Sequence, residues 1–340
     1  MRDEFKIAAV FIGTIIGAGL ASGQEILQFF SRFGYKSFWG ILFCFVLYIV
    51  LSLLFMNLAY IKHFRSYNDL VCYCLGDRLG FIADWMITIF IFFSNTIMIS
   101  GGGAMLNEYL GINKAYGIII MASIAFLVAL FSTNGVIAIN SFIVPLSTSI
   151  VLILGAFVFV ENRFNIIIPY FNNKIVYGSA ILYACFNFMT AVGVLYPMAS
   201  EVKNKQSFLK GCVLGSIVLT LLGIIINYNI LVYYPASFNS EVPNLYIAKK
   251  YGPLLPLYLT IIIWLEMFTT EVGCLYSLSR RMQLFLNKSY FICLILILIV
   301  SIPFSFIGFS NLIKLFYPPF GFISLIILLV GSIKYIILRK

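Results

Sequence analysis

Ten runs of apolar residues divide this chain, at about 6–30, 38–61, 81–106, 115–132, 136–160, 176–200, 208–233, 254–278, 289–308 and 315–337, with most of the charged residues between them. A bilayer core about 30 Å thick is crossed by about 20 residues of helix, so each run predicts one spanning helix. The expected fold class is all-α and integral to the membrane, with about ten transmembrane helices.

The first run is not a uniform span. Lys6 to Phe30 is long enough to cross, yet it carries glycines at 13, 17, 19 and 23. Glycine weakens a helix interior, so this density predicts loss of helix near Gly17 to Gly23. Backbone groups freed at mid-membrane depth need partners, and a cavity holding a polar ligand or an ion is the usual solution. Ser22 followed three residues later by Glu25 reads as a capping box that opens a second half-helix. A second reading stays open: Gly13 and Gly17, or Gly19 and Gly23, have the small-xxx-small spacing that lets helices pack closely.

The sixth run holds Asn187, Thr190 and Gly193 at its middle and Pro197 a turn later. Such a cluster predicts a second interruption, with a proline-kinked helix as the simpler alternative. Five helices on, the sixth run crosses in the opposite sense to the first. Interrupted segments at matching places in two halves predict an inverted repeat, with residues 1–160 and 170–340 as its five-helix halves in one transmembrane domain and helices 1 and 6 unwound at mid-membrane.

Composition narrows the function classes. With 340 residues, 62% of them hydrophobic and 10% charged, the chain carries more apolar surface than a water-soluble core would hide. Gln24 and Glu25 stand where a cleavage site would follow a signal sequence, so the N-terminus is expected to be retained. The seven cysteines form no CxxC pair and His63 is the one histidine, which points away from a disulfide framework or a zinc site. The net charge of +10 is spread over short connections rather than one basic face, which speaks against nucleic acid. With the N-terminus inside, fourteen of the 22 lysines and arginines fall on the cytoplasmic side and eight on the other, which predicts a multi-pass plasma (inner) membrane protein with both termini cytoplasmic. No nucleophile, base and orienting group recur at useful spacing, so catalytic chemistry is not expected.

Four carboxylates, Glu25, Asp84, Glu266 and Glu271, fall in or near spans, where a charge needs a partner, a proton or water. Glu266 is the strongest functional candidate, lying near mid-span with Thr269 and Thr270 on its own helical face. Glu25 has two readings, structural support of the half-helix or recognition of a substrate amine, and Asp84 beside Trp85 reads as interfacial. In the third span Ser94, Asn95, Thr96 and Ser100 precede Gly101 to Gly103, a pattern that joins helices or lines a cavity. Pro235 to Gly252 is the longest polar connection and is expected to form a short outer helix or a plain surface loop.

Gly13-Thr14-Ile15-Ile16-Gly17-Ala18-Gly19 resembles the first-helix signature of the amino acid–polyamine–cation superfamily, and the longer GTIIGAGLASGQE resembles its YkvI-type branch of amino-acid permeases. The resemblance implies the leucine-transporter fold. It also implies a substrate carboxylate on the amides of Gly17, Ala18 and Gly19, with Ser22 and Gly23 adjoining. Phe186 matches an aromatic gate, and Asn187, Thr190 and Gly193 fall at substrate contacts. A sodium position uses first-helix carbonyls that correspond to Gly13 and Ile16, together with Glu266, Thr269 and Thr270 of the eighth helix. Hard oxygen donors of this kind suit an alkali cation. Glu266 departs from the small residue expected there, and either binds the cation or carries a proton in its place; Glu25 is a further coupling candidate.

The expected function is therefore secondary active transport of a small amino-acid-like or zwitterionic solute, coupled to a proton or sodium, by alternating access. The expected partners are this small molecule and membrane lipid, with no cofactor beyond the coupling Na+ or H+; oligomeric state is left open. The alternative is a permease-like receptor that binds such a ligand to signal without net transport.

Overall fold

The computed structural model describes residues 3–62, 67–131, 134–162, 175–201 and 205–338. The first apolar run is three helices, α1 (Asp3–Ile15), α2 (Ala18–Ala21) and α3 (Gln24–Phe29). The second gives α4 (Lys36–Leu51), a π turn at Ser52–Met56 and α5 (Asn57–Lys62). The remaining runs give α6 (Tyr67–Leu110), α7 (Lys114–Phe131), α8 (Asn134–Asn162), α9 (Val176–Glu201), α10 (Lys205–Val232), α12 (Leu254–Leu286), α13 (Tyr290–Ser305) and α14 (Phe309–Leu338). A six-residue helix, α11 (Pro243–Ala248), sits in the long polar connection as expected. α6 bends at Gly76, whose φ of 73° and ψ of 178° suit glycine alone, so its first turns form a separate element ahead of the span. His63, expected at the inner end of the second span, lies outside the described residues.

By length and composition six of the described helical stretches can cross a membrane: Lys36–Phe55, Arg78–Leu110, Phe142–Asn162, Gln206–Val232, Leu254–Leu286 and Phe309–Ile337. Shorter apolar stretches at Lys114–Leu130, Val176–Val192 and Tyr290–Ser305 accompany them. The distribution of polarity agrees. Trp39, Phe81, Phe142 and Leu329 face outward, whereas Asn95, Asn227, Asn229 and Glu271 are fully buried. Water would reverse that arrangement; lipid favours it. Asp84, expected at the interface, pairs with Arg281 of α12.

The packing of the ten long elements has an order. Counting them in sequence, the first (α1) packs on the seventh (α10) and the second (α4) on the sixth (α9). The third (α6) packs on the tenth (α14) and the eighth (α12) on the fifth (α8), while the third and eighth lie against each other. Adding five to each number exchanges these pairs. α6 and α12 are also the longest spans, 33 residues each, or about 50 Å of helix. Both exceed the bilayer core and call for tilt.

The third-span polar cluster serves packing. Asn95 donates to the Ser301 hydroxyl at 3.1 Å and Ser100 to the Ser305 carbonyl at 2.7 Å, tying α6 to α13. A side chain on Gly101 would strike Met267 and Phe309, and one on Gly103 would strike α7 at Lys114 and Ile118.

Two expectations are corrected. α9 is helical without interruption from Val176 to Glu201, so the sixth run is not unwound. Asn187 donates to the Tyr183 carbonyl at 3.1 Å and Thr190 to the Asn187 carbonyl at 2.7 Å, so the polar side chains meant to break the helix bond to its own backbone instead. The Ser22 and Glu25 capping box also does not form. Gly23, with φ of 85°, is the N-cap of α3, and the Ser22 hydroxyl donates to the Gly19 carbonyl at 2.9 Å while accepting from the Gln24 amide at 3.3 Å. The Glu25 side chain turns away, toward α9.

Candidate functional site

The break in the first span is where the polar interior converges. The ladder of backbone bonds runs to Ile16 N–H on the Ile12 carbonyl at 2.7 Å and resumes with Ala21 N–H on the Gly17 carbonyl at 3.0 Å. The amides of Gly17, Ala18 and Gly19 therefore head a one-turn helix, in the place expected from the sequence. A Cβ on Gly17 would meet nothing within 4 Å, whereas one on Gly19 would collide with the Glu25 carboxylate. Gly17 thus faces open space and Gly19 is covered.

The carbonyls at the far end of the break are also satisfied. Asn244 of α11 donates through its side chain to the Ala21 carbonyl at 2.8 Å and through its backbone N–H to the Ser22 carbonyl at 3.0 Å. A Cβ on Gly23 would lie 3.2 Å from the Asn244 oxygen. α11 is held in turn by Glu108 at the end of α6, which accepts from Ser240 at 2.6 Å and from the Val242 amide at 3.2 Å, and by the Lys114–Glu241 pair at 2.7 Å.

Glu25 is 5% exposed and accepts from the Tyr183 hydroxyl of α9 at 3.2 Å. The Tyr183 ring packs against Phe29 and Phe30, each with ring centroids 5.1 Å away. Phe186, the expected gate, instead joins an aromatic cluster with Tyr317 at 4.6 Å and Phe90 at 5.9 Å. Of the α9 residues, Tyr183 reaches the break, one turn before the positions expected to do so. Asn187 is buried, Thr190 is half-buried and Gly193 lies within the helix.

On the other side of the break, α12 packs against α2 and α8. Glu266 is 4% exposed, and neither of its carboxylate oxygens has a hydrogen-bond partner among the described residues. Ser147 of α8 faces the carboxylate, its hydroxyl also without a partner. Ser147 and Thr148 line a small cavity with Ile16, Leu20 and Ala21, and one turn earlier on α8 Val144 lies 3.7 Å from the Cβ position of Gly13. Ser147 of α8 thus stands between Ile16 at the break and Glu266 of α12. Thr269 is buried, its hydroxyl donating to the Glu266 carbonyl at 3.1 Å, and Thr270 is half-buried. No cluster of histidine, cysteine and carboxylate side chains that would hold a transition metal occurs among the described residues.

Tyr183, Tyr48 and Asn244 were not singled out by the sequence. Tyr183 carries a signal, standing four residues before Asn187 on the same helical face. Asn244 carries none beyond following Pro243 at the start of α11.

The fold has counterparts among solved structures. Mhp1 in its inward-facing conformation matches with a TM-score of 0.65 over 95% of this chain and 75% of Mhp1, at 12% identity. MhsT, solved in complex with L-phenylalanine, matches with a TM-score of 0.63 over 98% of this chain and 88% of MhsT, at 16% identity. The chain has the leucine-transporter fold. In sequence it is similar to the membrane protein YkvI of Bacillus subtilis (strain 168), 29% identical over 324 residues that make up 94% of this chain and 92% of YkvI. No family model matches. The chain is a multi-pass membrane protein.

Proposed function

We propose that the chain is a secondary carrier of a small amino-acid-like or zwitterionic solute, coupled to sodium or to a proton. The observation that carries this reading is the first span, interrupted at Ile16–Gly17 and again at Ser22–Gly23, with the unpartnered Glu266 carboxylate beside it. Unpaired backbone in a membrane interior is tolerated where it meets a ligand or an ion. The fold shared with MhsT, which was solved with L-phenylalanine, supports a small solute.

In this reading the ten long elements are ten crossings, and the exchange of packing pairs on adding five supports two five-helix halves, 1–160 and 170–340. Both termini lie in the cytoplasm and the protein sits in the plasma (inner) membrane, as the lysine and arginine distribution suggests. Gly17, Ala18, Gly19, Ser22 and Gly23 border the solute, with Tyr183 approaching from α9. Gly13, Ile16, Glu266, Thr269 and Thr270 hold the coupling ion or proton. Alternating access moves the two halves around this fixed site.

Uptake of labelled amino acids into proteoliposomes, with a sodium or a pH gradient imposed separately, tests the reading. Accumulation above the equilibrium level under at least one gradient is expected. Saturable binding without accumulation would instead mark a receptor.

A further inference from the structure

Among the described side chains, three carboxylates are buried, Glu25, Glu266 and Glu271, and no lysine, arginine or histidine is. An interior with this imbalance either keeps its carboxylates protonated or takes its counter-charge from what it binds. Glu266 has been placed at the ion site, and both Glu271 oxygens are without partners among the described residues. Glu25 differs from both because it borders the break itself. Its carboxylate covers Gly19, one of the amides on which a substrate carboxylate was expected, and two carboxylates at that spot would repel each other.

Beside Glu25 lies a cavity of about 20 Å³ whose walls include Ile15, Leu20, Ile26, Tyr48, Tyr183 and Thr220. About 10–15 Å³ suffices for one water-sized group, the size of an ammonium head. The Tyr48 hydroxyl is buried at 3% exposure and faces the Cys44 thiol, which also lines the cavity, and its oxygen keeps a lone pair toward a donor. Tyr183 donates its proton to Glu25, and Thr220 donates its own to the Ser216 carbonyl at 2.7 Å, so both oxygens keep lone pairs. The polar atoms around the cavity are thus suited to accept from a donor, aromatic walls favour a cation, and a carboxylate stands one hydrogen bond behind.

We infer that this cavity is an amine subsite: it takes the ammonium head of the solute, with Glu25 as the specificity-determining counter-ion reached through Tyr183, so that the solute is selected by its amine and not by its carboxylate. The inference rests on the solute-binding break of the proposed function. It assigns the end of an amino-acid-like molecule that the protein reads.

The test uses the full-length protein in detergent and matched triples built on several side chains: the amino acid, the corresponding decarboxylated amine and the N-acetyl derivative, with ammonium chloride and sodium chloride as separate arms. Binding is followed by thermal shift. The free amine is expected to bind at least as tightly as the amino acid, and the N-acetyl member about ten- to hundredfold more weakly, as for loss of a charge-assisted hydrogen bond. Glu25→Gln should weaken the amines by a similar factor. Tyr48→Phe, which removes one oxygen from a buried ring, should weaken them several-fold while leaving the N-acetyl members unchanged. Equal binding of the N-acetyl members, amine binding undiminished in both variants, stabilisation by ammonium chloride alone, or no binding by any member overturns the inference. The two readings fail separately: amines that bind without accumulating in vesicles would remove the carrier and keep the subsite, and N-acetyl acids that accumulate would do the reverse.

Discussion

The side chain of Asn244 donates to the Ala21 carbonyl at 2.8 Å, so a loop helix far along the sequence closes the gap that Gly23 opens in the first span. Its backbone N–H adds a bond to the Ser22 carbonyl at 3.0 Å. Without these bonds two carbonyls in an apolar surround would lack a protein donor.

Asn244→Ala keeps the backbone bond and orphans the Ala21 carbonyl. A buried acceptor left without its donor costs about 1–3 kcal/mol. The thermal midpoint should fall, and uptake should fall with it because α11 no longer holds the break. An unchanged midpoint would show that Asn244 is dispensable to the gap.

Gly17 and Gly19, two residues apart in the break, make a second comparison. Gly17 has φ of −137°, open to any residue, and free space where a Cβ would go. Gly19 is covered by the Glu25 side chain. Gly17→Ala should fold like the parent and act, if at all, on solute affinity. Gly19→Ala should displace Glu25 from Tyr183 and abolish uptake. Equal behaviour of the two variants in melting and uptake would refute the arrangement.

Glu266→Gln keeps the shape of the side chain and removes its charge. An uncharged amide is cheaper to bury than an unpaired carboxylate, so stability should be unchanged or higher. The response of uptake to the sodium or pH gradient should drop by about tenfold or more, the effect of losing roughly 1.4 kcal/mol of ion coupling. An unaltered ion response would take Glu266 out of the coupling mechanism. Ser147→Ala should weaken the same response to a smaller degree.

The loop before α12 predicts an alkaline limit. Tyr251 donates to Glu161 at 2.5 Å and shares a 2.7 Å hydrogen bond with Tyr233. Burial, followed by the hydrogen bond to Glu161, raises its phenol above the ordinary value. The folded state then holds the proton more tightly than the unfolded chain, whose tyrosines titrate near about 10. This stabilisation is complete below that pH and is lost as pH rises toward the folded-state value. Tyr251→Phe should flatten the decline in thermal midpoint above about pH 10; a parallel decline in both proteins would exclude Tyr251 as its source.

Much of the fold was legible because lipid imposes simple rules. Apolar length alone marked each of the ten runs, and every one carries helix. Glycine density located the first break, since the cost of glycine in a helix is local to the residue. The sixth run misled for a related reason. Asn187 and Thr190 weaken a helix only when their side chains bond elsewhere, and here each returns its donor to the backbone one turn back. The residue type was read correctly, but its partner was not. Ser22 and Glu25 repeat the lesson: their spacing fits a capping box, yet Tyr183 offers the carboxylate another partner.

The sequence by itself determined the solvent, the number of helical runs, the weak point of the first helix and the presence of carboxylates with no lysine or arginine nearby in their spans. Those properties follow from side-chain hydrophobicity and backbone freedom, which belong to each residue alone. Only the tertiary structure decided that Asn244 closes the break, that Glu25 lies over Gly19 against Tyr183, and that Ser147 brings Glu266 toward Ile16. Hydrogen bonds and close contacts join residues up to 286 positions apart, and which of several candidate partners a buried group meets is set by the packing of helices, not by its neighbours in the chain.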